Sequence, residues 1–185
     1  MRLTPSYLAI VPLLTALLAG CASAPKGYSD FDIETDFSSF RTFAWVPGKT
    51  LVSASPNPTN PALEPTLKEE VRRYLTNRGF RYVEDPEAAD FVIGFSVGGT
   101  PTIRTTAFTD NYRQVQIVGT SRSAQVVNQE STEGGLVIDL YDVSSGQKKW
   151  MGWSVTEVTM GDQMNLTPLI RQLTGVILQH FPPEL

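Results

Sequence analysis

The segment LVIDLYDVSSGQKKWMGWSVTEV, residues 136–158, carries the clearest structural signal in the sequence. Two runs rich in β-branched and aromatic residues, 136–143 and 149–158, flank the turn-forming residues SSGQ, and this arrangement predicts a β-hairpin. Side chains alternate between the two faces of a strand, so Trp150 and Trp153 are predicted to lie on opposite faces of the sheet.

This hairpin contains two aspartates on opposite faces of its first strand. Asp139 shares a strand face with Val137 and Tyr141, whereas Asp142 lies on the other face, so the two carboxylates make a poor acid–base pair. If the face of Asp139 is covered, its carboxylate needs a partner. The candidates are Lys148, an arginine and backbone N–H groups.

The remaining sequence predicts shorter strands and two amphipathic helices. Strand patterns occur at 28–33, 41–46, 80–83, 91–97, 114–118 and 124–127, the last two as a hairpin. One helix is predicted over 63–78, where Pro65 suits the first turn and Gly79 a left-handed C-terminal cap. The other is predicted within 167–183, TPLIRQLTGVILQHFPP. The four prolines of residues 47–61 predict a surface loop.

These elements predict the fold class. Strands outnumber helices, and each helix has one apolar face, so the simplest packing lays both helices on one face of a mainly antiparallel sheet. A chain of 185 residues is long enough for one sizeable core and short for two. We therefore predict one α+β domain, residues 28–185.

Composition excludes several classes of protein. The net charge is −4, and the closest basic groupings are two pairs, Arg72–Arg73 and Lys148–Lys149, which argues against a nucleic-acid surface. Hydrophobic residues make up 41% of the chain, as in ordinary folded proteins. The sequence holds one cysteine, Cys21, so no disulfide can form within the chain.

Residues 1–20, MRLTPSYLAIVPLLTALLAG, have the order of a secretory signal peptide. Arg2 supplies the positive charge, residues 8–19 the apolar run, and small residues precede Cys21. The apolar run is shorter than the roughly 20 residues that a spanning helix needs. An uncleaved anchor, or an ordinary cleavage site beside a chance cysteine, is the alternative.

The four residues Leu18-Ala19-Gly20-Cys21 resemble the lipobox of bacterial lipoproteins. The resemblance implies lipid transfer to the Cys21 sulfur, cleavage between Gly20 and Cys21, and acylation of the new amino terminus by a fatty acid such as palmitate. Ala22 follows, where inner-membrane retention in enterobacteria favours aspartate, so the periplasmic face of the outer membrane is expected. Residues 21–27 are then a short tether, whose six residues after Cys21 reach about 20 Å.

A set of segments in fixed order resembles a known family. These segments are DFSSFRTFAW, NPALEPTLKEEVRRYLTNRGF, ADFVIGF, GGLVIDLYD, KKWMGWS and a terminal helix followed by FPP. Together they resemble the bacterial lipoprotein family known as domain of unknown function 4136, over about residues 28–183. The resemblance implies an α+β domain on a lipid anchor and supplies no catalytic residue. Residues 99–132 do not align with it.

Candidate chemistry is sparse. His180, in the last predicted helical turn, is the one histidine, which excludes a two-histidine metal site, and a Ser-His-Asp triad would need a geometry that a sequence does not show. GFSVGGT, residues 94–100, lacks the lysine of a phosphate loop. Carboxylates alternate along a predicted strand at Asp30, Asp32, Glu34 and Asp36, without the glycine of an EF-hand calcium loop. We therefore predict no catalytic residue, no cofactor and no metal.

Two functions remain as hypotheses. The first is a non-enzymatic interaction or structural protein of the cell envelope, with the membrane and an envelope protein as partners. The second is a binding module for a lipid, glycan or peptide, in which a tryptophan or the loops 47–61 and 99–113 line an apolar groove. Neither hypothesis involves nucleic acid.

Overall fold

The computed structural model describes residues 24–53, 60–98, 101–102, 125–126 and 133–183. The strands within these ranges are β1 (Gly27–Phe31), β2 (Thr42–Trp45), β3 (Leu51–Ser53), β4 (Arg81–Tyr82), β5 (Phe91–Gly98), β6 (Pro101–Thr102), β7 (Gln125–Val126), β8 (Glu133–Asp142) and β9 (Lys148–Glu157). The helices are α1 (Leu63–Asn77), α2 (Met160–Met164) and α3 (Leu166–Leu178). No helix in this part of the chain has the length and hydropathy to cross a membrane.

Seven of the described strands form one sheet in the order β1-β9-β8-β5-β2-β4, with β3 also paired to β5. The pairs β1–β9, β9–β8 and β8–β5 are antiparallel, whereas β2 and β3 pair with β5 in parallel and β4 pairs with β2 in parallel. The predicted α+β class is confirmed, and the sheet is mixed rather than purely antiparallel. The chain passes from β2 through α1 to β4, and such helical crossovers join parallel neighbours.

Most predicted elements are present with small shifts. The long hairpin is formed by β8 and β9, and Gly79 has the predicted left-handed conformation, with φ of 91°. The prediction of a loop over residues 47–61 was wrong at Leu51–Ser53, because these residues form a strand that pairs with β5. α3 begins at Leu166 and ends at Leu178, short of the predicted proline stop. The predicted strand 114–118 lies outside the described residues, and β7 pairs with β6.

Both long helices cover the same face of the sheet. Leu67, Val71 and Leu75 of α1 lie in one buried cluster with Ile170, Leu173 and Ile177 of α3. The sheet contributes the other members of this cluster, among them Phe43, Phe91, Phe95, Ile138, Leu140 and Trp150. This helix–sheet layer is filled by side chains, so within the described residues it is a packed core and not the apolar groove that one hypothesis required.

Glu70 of α1 joins the two helices through two arginines. Its carboxylate is buried and lies 2.8 Å from Nη2 of Arg171 on α3 and 2.6 Å from Nη2 of Arg73 on its own helix. The hydrogen bond from Arg171 is the largest cause that lowers the pKa of Glu70 below its ordinary value of 4.5; burial opposes the shift and Arg73 adds to it. Because the folded-state pKa is lowered, this contribution to stability is complete above 4.5 and is lost as the pH falls through the folded-state value.

A Glu70→Gln variant tests this pH dependence. At neutral pH we expect the variant to be less stable than the natural protein by on the order of 1 kcal/mol, because hydrogen bonds to a charged group are lost. The difference between the two free energies of unfolding is expected to shrink as the pH falls below 4.5. Urea denaturation at several pH values measures it, and a difference that stays constant with pH would contradict the assignment.

Candidate functional site

A concave space of about 690 Å³ lies where β1 meets the C-terminal ends of α1 and α3. This volume falls within the range of small-molecule sites. We call this space the β1 pocket. Its lining residues are Ser29, Phe31, Arg78, Gln179, His180, Pro182 and Pro183. The pocket therefore combines two basic side chains with apolar walls.

Phe181 fixes the wall of the β1 pocket that follows α3. Its ring is fully buried, with its centroid 5.3 Å from that of Trp150 and 5.5 Å from that of Phe80. Its carbonyl oxygen accepts a hydrogen bond of 2.6 Å from Nη1 of Arg78. The next peptide bond, to Pro182, is cis. The aromatic core thus sets the position of the two prolines that line the pocket.

Arg78 differs from Arg73 and Arg171, the two arginines that pair with Glu70. Its guanidinium carbon lies 4.9 Å from the centroid of the Tyr74 ring, and its one hydrogen bond to the described residues goes to the carbonyl of Phe181. Arg73 and Arg171 both pair with a carboxylate, whereas Arg78 has no carboxylate partner in the described ranges. Arg78 is therefore oriented by the protein while its charge is not neutralised by the residues that the structure describes.

His180 connects the pocket to the start of β1. Its Nε2 lies 3.2 Å from the carbonyl oxygen of Gly27 and 3.2 Å from Nε2 of Gln179. The contact with Gly27 is a hydrogen bond in the tautomer with a proton on Nε2, since a carbonyl oxygen only accepts, and the contact with Gln179 is one in the other tautomer. His180 was predicted in the last helical turn, but it lies two residues beyond Leu178, where α3 ends.

Backbone N–H groups cap several of the last carbonyls of the two helices beside the pocket. The backbone N–H groups of His180 and Phe181 donate to the carbonyls of Ile177 and Leu178 at the end of α3. At the end of α1, the N–H groups of Arg78, Gly79 and Phe80 cap the last carbonyls in the same way. Arg78 is the permanently charged side chain of the described lining, and no carboxylate is among those lining residues.

The sequence profile of the domain of unknown function family DUF4136 matches residues 27–183, which include the whole sheet, both long helices and the β1 pocket. The chain belongs to the DUF4136 family. Among curated protein sequences, none matches the chain.

Solved structures share the fold of this DUF4136 domain. A DUF4136 family protein from Bacteroides thetaiotaomicron is 17% identical with a TM-score of 0.54, over 84% of this chain and 95% of that one. A PDZ domain protein from Parabacteroides distasonis is 12% identical with a TM-score of 0.50, over 88% of this chain and 37% of that one. A PelC dodecamer from Paraburkholderia phytofirmans is 10% identical with a TM-score of 0.48, over 83% and 94%. At these identities the likeness of the first two structures extends to the fold alone.

A buried ion pair, Lys148–Asp139, lies on the sheet face opposite the helices. Nζ of Lys148 is 3.0 Å from Oδ1 of Asp139, and both side chains are almost completely buried. The geometry is that of a close ion pair without an aligned hydrogen bond at this oxygen. The same Nζ lies 5.6 Å from the centroid of the Tyr141 ring. The prediction that Asp139 needs a partner, with Lys148 among the candidates, is confirmed.

The carboxylates of the predicted calcium alternative are dispersed. Asp32 accepts a hydrogen bond of 2.7 Å from Nζ of Lys149, which is the largest cause that lowers its pKa. Asp36 accepts from the backbone N–H and the hydroxyl of Ser38 at the start of a 3₁₀ turn. Across the described residues, no three histidine, cysteine or carboxylate side chains gather in a way that holds a metal ion. Each of these two aspartates has a local structural role.

The aromatic residues divide between the core and a half-exposed edge. Trp150 and Phe43 lie in the buried helix-side cluster, and Trp45 packs against that cluster. Trp153 lies on the other face and stacks on Tyr28 of β1, with ring centroids 5.7 Å apart. The described aromatic rings therefore line no groove between the sheet and the helices.

The remaining predicted sites lie elsewhere. Cys21 and Gly20 are outside the described residues, as are Gly99 and Thr100 of the glycine-rich stretch, whose first five residues belong to β5. Arg78 was missed by sequence reasoning, since it was regarded only as the end of a helix before Gly79. The sequence signal for the pocket was weak. It consisted of an arginine at the end of the first long helix and a Phe-Pro-Pro run after the last helix.

Proposed function

We propose that this DUF4136 protein is a lipoprotein anchored through Cys21 to the periplasmic face of the outer membrane, where it has a non-enzymatic interaction or structural role. The observation that carries the proposal is the lipobox-like run of residues 18–21. Gly27, six positions after Cys21, is the first described residue that pairs in the sheet. No catalytic group is assigned, because His180 contacts a backbone carbonyl and an amide among the described residues.

The start of β1 supports a close attachment to the membrane. Gly27 pairs with Ser154 of β9, and a Cβ atom at Gly27 would lie only 1.7 Å from the carbonyl oxygen of Val176 on α3. Residue 27 is therefore fixed against the domain, and it is the sixth residue after the lipid-bearing Cys21. A fully extended tether of this length reaches about 20 Å. The start of β1 then lies within about 20 Å of the lipid-bearing residue.

A Cys21→Ser variant of the full chain tests the anchor. In an enterobacterial host, the natural protein is expected to incorporate labelled palmitate and to sediment with the outer membrane on a density gradient. Two or three acyl chains bind far more strongly than one, since each buried methylene contributes about 0.8 kcal/mol. The Cys21→Ser variant is expected to carry no label, to keep its signal peptide and to leave the outer-membrane fraction.

A Ser23→Ala variant is the matched control, and it is expected to behave as the natural protein does. Outer-membrane sedimentation and labelling of Cys21→Ser would contradict the anchor, and sedimentation of the natural protein with the inner membrane would contradict the location. Cross-linking in intact cells tests the interaction role. A reproducible adduct with one envelope protein is expected, and repeated failure across envelope conditions would count against that role.

One observation favours a second candidate function, that of a binding module. The β1 pocket is concave, has the volume of a small-molecule site and combines basic and apolar lining residues. The pocket lies at the end of α3, away from the helix–sheet layer and from the loops first considered.

A further inference from the structure

We propose that the β1 pocket binds the phosphate or carboxylate group of a small ligand, with Arg78 as the residue that recognises the anion. No catalytic step is involved. The argument rests on the orientation of Arg78, the charge balance of the lining and the apolar walls.

Arg78 is held in place before any ligand is present. The hydrogen bond of 2.6 Å to the carbonyl of Phe181 fixes one end of the guanidinium, and the Tyr74 ring lies 4.9 Å from its centre. The other guanidinium N–H groups have no acceptor among the described residues. A guanidinium presents its donors as a planar fork that matches the oxygens of a phosphate or carboxylate. Orientation in advance lowers the entropy cost of binding.

The charge balance of the pocket favours an anion. His180 and Arg78 are its basic lining residues, and the described lining holds no carboxylate. Nε2 of His180 lies against the Gly27 carbonyl oxygen, so the anion contact is assigned to Arg78. Ser29 and Gln179 add a hydroxyl and an amide as further polar groups in the same lining.

The apolar part of the lining comes from Phe31, Pro182 and Pro183. Phe31 is half-buried at the end of β1, and its ring lies edge-on to that of Phe37, with centroids 6.1 Å apart. These walls leave room for a short apolar group next to the anion. Two sources offer this chemistry: the headgroup region of a membrane lipid and a free phosphate ester. The first source rests on the proposed anchor, which holds Gly27 at the start of β1 within about 20 Å of the lipid-bearing residue.

Calorimetric titration of the full lipoprotein in a non-ionic detergent tests the pocket, with micelles alone as the blank. The probes are dihexanoylphosphatidylglycerol, glycerol 1-phosphate and the uncharged monohexanoylglycerol. Binding of a phosphate-bearing probe is expected, with about tenfold or greater weakening by Arg78→Gln, because a hydrogen-bonded charge is lost. Arg81→Gln is the matched control, since it removes an exposed arginine outside the pocket, and it is expected to leave the affinity unchanged.

Two further variants separate recognition from folding. Arg78→Lys keeps a positive charge without the fork and is expected to bind more weakly than the natural protein and more tightly than Arg78→Gln. Ser29→Leu fills the pocket while Arg78 stays, and it is expected to abolish binding. Melting temperatures measured in parallel identify any variant that has lost its fold.

Each outcome bears on the proposal. Tighter binding of the lipid than of glycerol 1-phosphate supports the lipid source, and equal binding of the two supports the free phosphate ester. Equal binding of monohexanoylglycerol, an unchanged affinity in a folded Arg78→Gln variant, or no binding of any probe would overturn it. Because titration in detergent does not depend on where the cell places the protein, its failure is distinct from failure of the Cys21→Ser experiment.

Discussion

Replacing Lys148 by methionine is expected to lower the free energy of unfolding by about 3–5 kcal/mol, because it leaves a buried carboxylate without its counter-charge. The side chain of Lys148 is 1% exposed and that of Asp139 is 2% exposed, so water cannot solvate the remaining charge in the folded state. A domain of this size is stable by roughly 5–15 kcal/mol, so the variant is expected to be close to unfolding. Urea denaturation measures the change.

Lys149 provides a matched control for this prediction. It is the next residue in the chain, and it also pairs with an aspartate, but its side chain is 18% exposed and that of its partner Asp32 is 23% exposed. Lys149→Met is therefore expected to cost less than about 1 kcal/mol, as exposed ion pairs do. Equal losses at the two positions would contradict the burial argument.

The double variant Lys148→Met with Asp139→Leu separates the ion pair from its surroundings. Breaking a buried pair costs more than replacing both partners by apolar groups of similar size, since the second change leaves no unpaired charge. The double variant is expected to recover most of the stability lost by Lys148→Met alone. If the two losses add instead, the ion pair is not the cause of the effect.

Replacing Phe181 by alanine is expected to cost about 3–5 kcal/mol, the usual loss when a buried phenylalanine leaves a cavity. Its ring is fully buried, and its centroid lies 5.3–6.0 Å from those of four other aromatic rings: Phe37, Phe80, Phe91 and Trp150. Aromatic pairs of this geometry add to the area buried. Thermal and urea denaturation measure the loss.

Ile33→Ala is the control for Phe181→Ala, because Ile33 is 77% exposed and removing an exposed side chain changes stability by about 0.5 kcal/mol or less. Phe181→Leu, which leaves a smaller cavity, is expected to fall between the two. A loss near zero for Phe181→Ala would show that the segment after α3 does not contribute to the core. The β1 pocket would then lack its fixed proline wall.

Local patterns determined much of this fold. The alternation in residues 136–158 predicted the hairpin and the opposite orientations of Trp150 and Trp153, because the side-chain period of a strand is a local property. The apolar stripes predicted both helices and their shared side of the sheet. Alternation does not encode strand direction, so the parallel pairing of β2, β3 and β4 could not be predicted from it. The three-residue strand β3 was hidden among prolines, since its partner β5 lies some 40 residues further along the chain.

The Lys148–Asp139 ion pair depends both on the local alternation of side chains and on the tertiary structure. The sequence determined that Asp139 needs a partner, because a covered carboxylate cannot remain unpaired. Strict alternation from Trp150 would place Lys148 on the helix side of the sheet. A register shift between Leu140 and Tyr141 inserts one extra residue on β9, so Lys148 faces Asp139 instead.

By itself, the sequence predicted an α+β domain with its two helices and its principal hairpin, because these depend on periodicity within short segments, and the order of its segments indicated the DUF4136 family. Only the tertiary structure decided the β1 pocket. Gly27 and His180 lie 153 residues apart in the chain, and Arg78 and Phe181 lie 103 residues apart, yet each pair is in hydrogen-bonding contact. Such a site has no local signature, because its residues meet only after the two helices have packed on the sheet and their C-terminal ends have come together.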